Sequence, residues 1–184
     1  GAGLSGSECV KRLAGDGIDV LIIERREIVG NPAQCGECIP KWGEVVGTFS
    51  HLDDHQWLKD YFEFPDRLRL HDLDNMRVFL PSGKSYHFDL DAFAGHRLHF
   101  DGFLCDKAID AGAEIHTGEA MTNIQHQSKL NRDLLVTSHG RYSFDFLIDA
   151  SGSLAHVSRL RHGDDERYRP KDQVPTVYAQ VQGN

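Results

Sequence analysis

GAGLSGSECVKRLAGDGIDVLIIERR, residues 1–26, opens the chain, and the spacing of its glycines decides the fold. Gly1, Gly3 and Gly6 form a G-x-G-x-x-G loop; Ser5–Leu13 has the composition of a helix, which Gly15 and Gly17 close. Val20–Ile23 then runs apolar without alternation, the pattern of a strand buried on both faces in a parallel sheet. Loop, helix and strand are half of a βαβ unit, and a strand is expected ahead of Gly1. Gly1 allows the tight turn, Gly3 lets the backbone approach a pyrophosphate, and Gly6 lets helix and sheet pack closely. The helix N-terminus adds free N–H groups and a partial positive charge. Glu24 ends the strand at the spacing where a carboxylate accepts hydrogen bonds from the vicinal hydroxyls of an adenosine ribose. Such a loop alone is weak evidence in a chain with 18 glycines. The strand, Glu24 and Gly17 at the helix-to-strand turn give it force. Val10 departs from the pattern, because Ala or Gly usually stands there, and wider helix–sheet packing is expected.

Composition narrows the class. At 184 residues the chain is long enough for one domain with a sizeable core. Its hydrophobic fraction of 40% and charged fraction of 26% are those of a globular protein. The net charge of −8, with charges scattered along the chain, argues against a nucleic-acid partner. No apolar run reaches the length of a membrane span. The four cysteines, Cys9, Cys35, Cys38 and Cys105, are too sparse for a disulfide-stapled fold, and a reducing, cytoplasmic setting is expected.

Further along, residues 29–47 are rich in Gly, Pro and Cys and read as an ordered loop, and Leu52–Phe64 reads as helical. MRVFLPSGKSYHF (76–88) reads as a hairpin turning at Pro81–Gly83, and LLVTSHGRYSF (134–144) as a second one turning at His139-Gly140. Between them lies a helix capped by Asp101, with Leu104, Ala108 and Ala111 on one face and Gly112 as its stop, followed by a strand from Ala113 to Ile115. Phe146–Ile148 reads as a short buried strand ending in a small-residue turn. The architecture expected is α/β, a Rossmann-like domain whose parallel sheet is interrupted by β-hairpins.

Several of these segments together resemble the geranylgeranyl reductase family of flavoproteins, within the p-hydroxybenzoate hydroxylase-like superfamily. They are GAGLSG, IIERR, NPAQCGECIP (31–40), HRLHFDGFLCDKAIDAGAEI (96–115) with its R-x-x-F-D-x-x-L helix, and DFLIDASGSLAHVSRL (145–160). The resemblance implies an FAD-binding domain over residues 1–161 and the start of a substrate-binding domain at 162–184. The first strand and a later G-D segment would lie outside the chain, so that residues 1–184 alone are expected to hold FAD poorly. Carried over by position, Gly1, Gly3 and Gly6 would hold the pyrophosphate, Glu24 the ribose, and Arg25 would lie beside the adenine. Cys35 and Gly36 match the C-G pair along the flavin, and Arg97 the arginine that reaches the phosphate–ribityl region. The backbone of Met121 would read the adenine edge. Asp149 and Gly152 match the turn that closes over the cofactor, with Ser151 in place of the more usual Asp.

The activity implied is reduction of isoprenoid C=C bonds by hydride from reduced flavin, with Cys35 as the candidate catalytic residue, either relaying a proton or lining the pocket. An isoprenoid or other hydrophobic substrate, an NAD(P)H or ferredoxin-like electron donor and peripheral membrane contact go with it. The alternatives are a flavin monooxygenase of the same superfamily and a non-catalytic nucleotide-binding fragment. The C-G-E-C-I-P loop favours the reductase. Cys35 and Cys38 form a C-x-x-C, but a zinc site lacks its second ligand pair and a redox pair lacks its helix N-terminus. HLDDH (51–55) offers metal-binding side chains, yet with 11 histidines in the chain a solvated helix start explains it as well. No metal is expected. His96 and His99 flank Arg97 as surface neighbours.

Overall fold

A computed structural model of the chain describes residues 1–33, 35, 38–51, 56–62, 64–127, 132–152, 157, 159 and 160. Its elements begin with α1 (Leu4–Gly15), β1 (Leu21–Ile23), β2 (Cys38–Pro40) and α2 (Trp42–Thr48). Two 3-10 turns, Gln56–Tyr61 and Asp66–Leu68, lead into β3 (Arg69–Phe79) and β4 (Ser85–Gly95). Then come α3 (Arg97–Asp110), β5 (Glu114–His116), β6 (Met121–Gln127), β7 (Arg132–Thr137) and β8 (Arg141–Ser143). The chain divides into two compact units: residues 1–33 together with 101 onward, and residues 34–100.

The first unit is α/β. β1 and β5 pair in parallel, Leu21 beside Glu114, Ile22 beside Ile115 and Ile23 beside His116. α1 and the buried face of α3 pack on that pair through Ala2, Val10, Ala14, Ile22, Cys105, Ala108 and Ala113. Most of these side chains are alanines, so helix and strand backbones approach closely, and the bulk of Val10 fits among small neighbours. Burying Val10 and Ile22 contributes about 1.5–3 kcal/mol each. Both helices end in the same way. In α1, Ile18 N–H donates to the Leu13 carbonyl and Gly17 N–H to that of Ala14, with Gly17 at φ +82°. In α3, Ala113 N–H donates to the Ala108 carbonyl and Gly112 N–H to that of Ile109, with Gly112 at φ +107°. Each is a Schellman turn, which needs a residue in the left-handed region and feeds the chain directly into a parallel strand. β6, β7 and β8 form an antiparallel meander in that order.

The second unit is a three-stranded antiparallel sheet ordered β2-β4-β3. Gly83 at φ +82° closes the turn between β3 and β4, with Leu80 N–H donating to the Lys84 carbonyl at 2.8 Å. Among the described residues, Val45, Leu68, Ala92, Phe93 and Phe100 are its buried apolar side chains. The Phe64 ring lies 4.7 Å from that of Phe100 and 6.1 Å from that of Phe93.

α1, both hairpins, the α3 stop and β5 match the expectations from sequence. Four expectations need correction. The segment 29–47 is not a loop throughout: β2 and most of α2 lie in it. Trp42–Thr48 carries two glycines and two valines, so propensity alone does not indicate a helix. Of the expected helix Leu52–Phe64, residues 52–55 and 63 lie outside the described residues, and Gln56–Tyr61 is a 3-10 turn. Asp101 does not cap α3, because the helix starts at Arg97 and Asp101 sits buried within it. Phe146–Ile148 enters no strand ladder, and Phe146 and Ile148 are 91% and 54% exposed. An apolar run becomes a buried strand only where a neighbour takes up its N–H and C=O groups. The expected boundary between 161 and 162 lies outside the described residues.

Candidate cofactor-binding site

The glycine loop is held in the first unit by its own backbone. Ala2 is fully buried, its N–H donates to Glu24 Oε2 at 2.7 Å, and its carbonyl accepts the Ser7 hydroxyl at 3.1 Å. A Cβ on Gly6 would overlap the Gly1 carbonyl oxygen, and one on Gly1 would overlap the Ala150 carbonyl oxygen. Loop, first helical turn and the DASG segment are therefore in backbone contact, which only glycine permits. Gly3 differs: a Cβ there meets no atom within 4 Å. It stands as the N-cap of α1, supplies no side-chain cap, and is followed by a first turn with no acidic residue. Uncapped N–H groups and the positive end of the helix thus face open space beside the loop, an arrangement that fits an anionic phosphate group.

Glu24 is buried and works twice. Besides the Ala2 amide, it accepts the Arg26 N–H through Oε1 at 2.9 Å. A carboxylate has about four acceptor positions, so both oxygens keep capacity for further donors. Asp149 Oδ1 accepts the Ser151 N–H at 2.9 Å and shapes the turn, with Gly152 in the left-handed region at φ +73°.

Gly1, Gly6, Glu24 and the turn that contains Asp149 thus gather around one loop. Arg25 is exposed at the end of β1. Met121 is half-buried and opens β6 opposite Thr137. Cys35 and Arg97 belong to the second unit, Cys35 exposed and Arg97 half-buried as the first residue of α3. Gly36 lies outside the described residues. Cys35 and Cys38 are free thiols. Among the described residues no group of three His, Cys, Asp or Glu side chains could hold a metal; of HLDDH, only His51 is described. The His96 and His99 rings lie 4.9 Å apart, His99 exposed and His96 half-buried.

Sequence patterns alone did not single out a polar network behind Glu24. Glu119 is buried and accepts hydrogen bonds from Thr137 Oγ1, from the Tyr142 hydroxyl at 2.9 Å and from His116 Nδ1 at 3.0 Å. His116 Nε2 lies 2.8 Å from Glu114 Oε1, so both ring nitrogens face carboxylates. Those bonds to Glu114 and Glu119 outweigh burial and raise the His116 pKa. Burial pushes the Glu119 carboxyl up, but the bonds from Thr137, Tyr142 and His116 prevail and hold it below the ordinary range. The network braces the strand end that carries Glu24: Glu24 N–H donates to the His116 carbonyl, and Glu119 N–H to that of Glu24.

No family model matches the chain. It is 30% identical over 181 residues to a digeranylgeranylglycerophospholipid reductase of Methanosarcina mazei, a match over 94% of this chain and 41% of that protein. The reductase of the same description from Methanosarcina acetivorans is 29% identical over 181 residues, with the same coverage. Over 94% of its length the chain is similar to these geranylgeranyl-lipid reductases. An uncharacterized protein of Methanosarcina barkeri is 31% identical over 125 residues, 68% of this chain and 66% of that one. The chain thus spans about two fifths of the length of the two reductases. Among solved structures, a geranylgeranyl bacteriochlorophyll reductase-like protein of Thermoplasma acidophilum has a TM-score of 0.57 at 19% identity, over 78% of this chain and 35% of that one. The flavin-dependent brominase Bmp2 has a TM-score of 0.61 at 20% identity, over 88% and 39%. At these identities the two structures establish the fold alone, that of Rossmann-type flavoenzymes.

Proposed function

We propose that this chain is the cofactor-binding part of an FAD-dependent reductase that saturates carbon–carbon double bonds in an isoprenoid lipid. The observation that carries this reading is the uncapped start of α1 at Gly3, beside a loop tied to the buried carboxylate of Glu24. The names of the relatives supply the substrate class. FAD, when bound, supplies a hydride equivalent to the alkene. The first-turn N–H groups of α1 and the open backbone at Gly3 take the pyrophosphate. Glu24 accepts the ribose hydroxyls through the lone pairs left beside Ala2 and Arg26, with Arg25 at the adenine and the Met121 backbone on its edge. Asp149 and Gly152 close the turn, and Arg97 serves the phosphate–ribityl region. Cys35 and Gly36 line the flavin, with the Cys35 thiol as the group that delivers a proton to the second alkene carbon.

The test is anaerobic turnover of the protein in its full-length form, reduced with dithionite and given an unsaturated digeranylgeranyl phospholipid. Mass spectrometry is expected to show a gain of two hydrogens for each double bond reduced. No saturated product there, together with hydroxylated product when NAD(P)H-driven turnover is repeated in air, would establish the monooxygenase alternative instead.

A further inference from the structure

Residues 76–88, MRVFLPSGKSYHF, form the outer half of the β3–β4 hairpin. Met76 stands opposite Phe88 and Val78 opposite Tyr86, so these four side chains share one face. All four are exposed, as is Leu80 at the end of β3, and Phe79 on the other face is 70% exposed. The inner half of β4 is covered, because β2 pairs with Ala92–Ala94; the outer half has no strand beside it except β3 among the described residues. A monomeric soluble protein seldom leaves so many large apolar side chains contiguous and exposed. Charge singles out the same thirteen-residue stretch. It contains Arg77, Lys84 and His87 and no acidic residue, in a chain whose net charge is −8. The flanking acids, Asp74 and Asp89, mark its inner limit. Arg77 lies over the Phe79 ring, 6.0 Å from its centroid, on the face opposite Met76 and Val78.

We infer that the outer half of this hairpin docks on an anionic lipid surface, with its apolar face at the acyl boundary and Arg77 and Lys84 among the headgroups. This rests on the reading that the substrate is an isoprenoid phospholipid, which lies in such a surface. Exposed aromatic side chains with neighbouring cations are the composition of interfacial elements. The unpaired strand edges keep the backbone in the hydrated headgroup layer, since hydrocarbon cannot satisfy N–H and C=O groups. No helix among the described residues is long and apolar enough to cross a membrane, so contact through this element is peripheral.

Co-sedimentation of the whole chain with vesicles tests the inference. Vesicles of phosphatidylglycerol and phosphatidylcholine in equal parts are expected to bind the protein, and pure phosphatidylcholine vesicles to bind it far less. Removing both cations with Arg77→Gln and Lys84→Gln should lower partition about 25-fold, since each basic residue near such a surface contributes about fivefold. Phe79→Ser with Phe88→Ser should lower it by about tenfold or more. The charge-matched control Arg12→Gln with Arg67→Gln should leave it unchanged. Equal binding to both vesicle types, or equal loss in control and hairpin variants, would overturn the inference. So would hairpin variants that alter self-association in sedimentation and leave vesicle binding intact, because the face would then join copies of this chain. The comparison of vesicle types needs no variant, and circular dichroism confirms that each variant is folded. The assay needs neither flavin nor turnover, so its failure and the failure of the reductase reading are separate results.

Discussion

Gly3 and Gly6 are identical residues in one motif with opposite surroundings. Gly6 is backed by the Gly1 carbonyl and Gly3 by open space. Gly6→Ala is expected to destabilise the fold by about 1–3 kcal/mol through overpacking against backbone, read as a lower thermal midpoint. Gly3→Ala should change stability by less than about 0.5 kcal/mol, yet weaken FAD binding measured by flavin fluorescence, because the methyl group fills the phosphate side. Equal effects of both substitutions on stability and binding would contradict this division. The glycine spacing and Glu24 were both legible in the sequence. That Glu24 also anchors the loop through the Ala2 amide was not, since the partners stand 22 residues apart. Cys35 and Arg97 were matched by family position, and the structure places both in the unit of residues 34–100.

At the scale of elements, the meander β6–β8 and the end of β5 hold a carboxylate and an imidazole in mutual hydrogen bonds. Glu119 has a lowered pKa, so its contribution to stability is complete above the ordinary carboxylate value and is lost as pH falls through the lower folded value. His116 has a raised pKa, so its contribution is complete below the ordinary imidazole value and is lost as pH rises through the higher folded value. Both are present together between about pH 4.3 and pH 6.5, and the thermal midpoint is expected to peak there. Glu119→Gln should flatten the acid limb of that profile, and a variant that kept the wild-type limb would show that other groups set it. Elements with local signals, such as α1 with its Schellman turn and the two hairpins with their glycine turns, were read from sequence. α2 was missed because its glycines and valines disfavour a helix locally. The Phe146–Ile148 strand was expected from apolarity, but a strand depends on its neighbour.

Over the whole molecule, charge is unevenly spread. The net charge of −8 coexists with an acid-free outer hairpin carrying Arg77 and Lys84. Two cations on a short tip do not make the extended basic groove that a nucleic-acid backbone requires. Electrophoretic mobility of duplex DNA at low salt is therefore expected to be unchanged by this protein, and a shift would refute that view of its surface. The division into two units, one built from residues 1–33 and from 101 onward, was not expected within a single domain over 1–161. Nothing in composition marks the junctions near 34 and 100, because continuity of the chain hides which segments return to the same core. The sequence by itself determined the α/β class, the glycine loop ahead of α1, the helix stops and both hairpins, because each depends on residues close together in the chain. Tertiary structure alone decided that Ala2 binds Glu24, that His116, Glu119, Thr137 and Tyr142 form one network, and that Phe146 stays exposed. Hydrogen bonds and burial between distant segments exist only once the chain has brought them together.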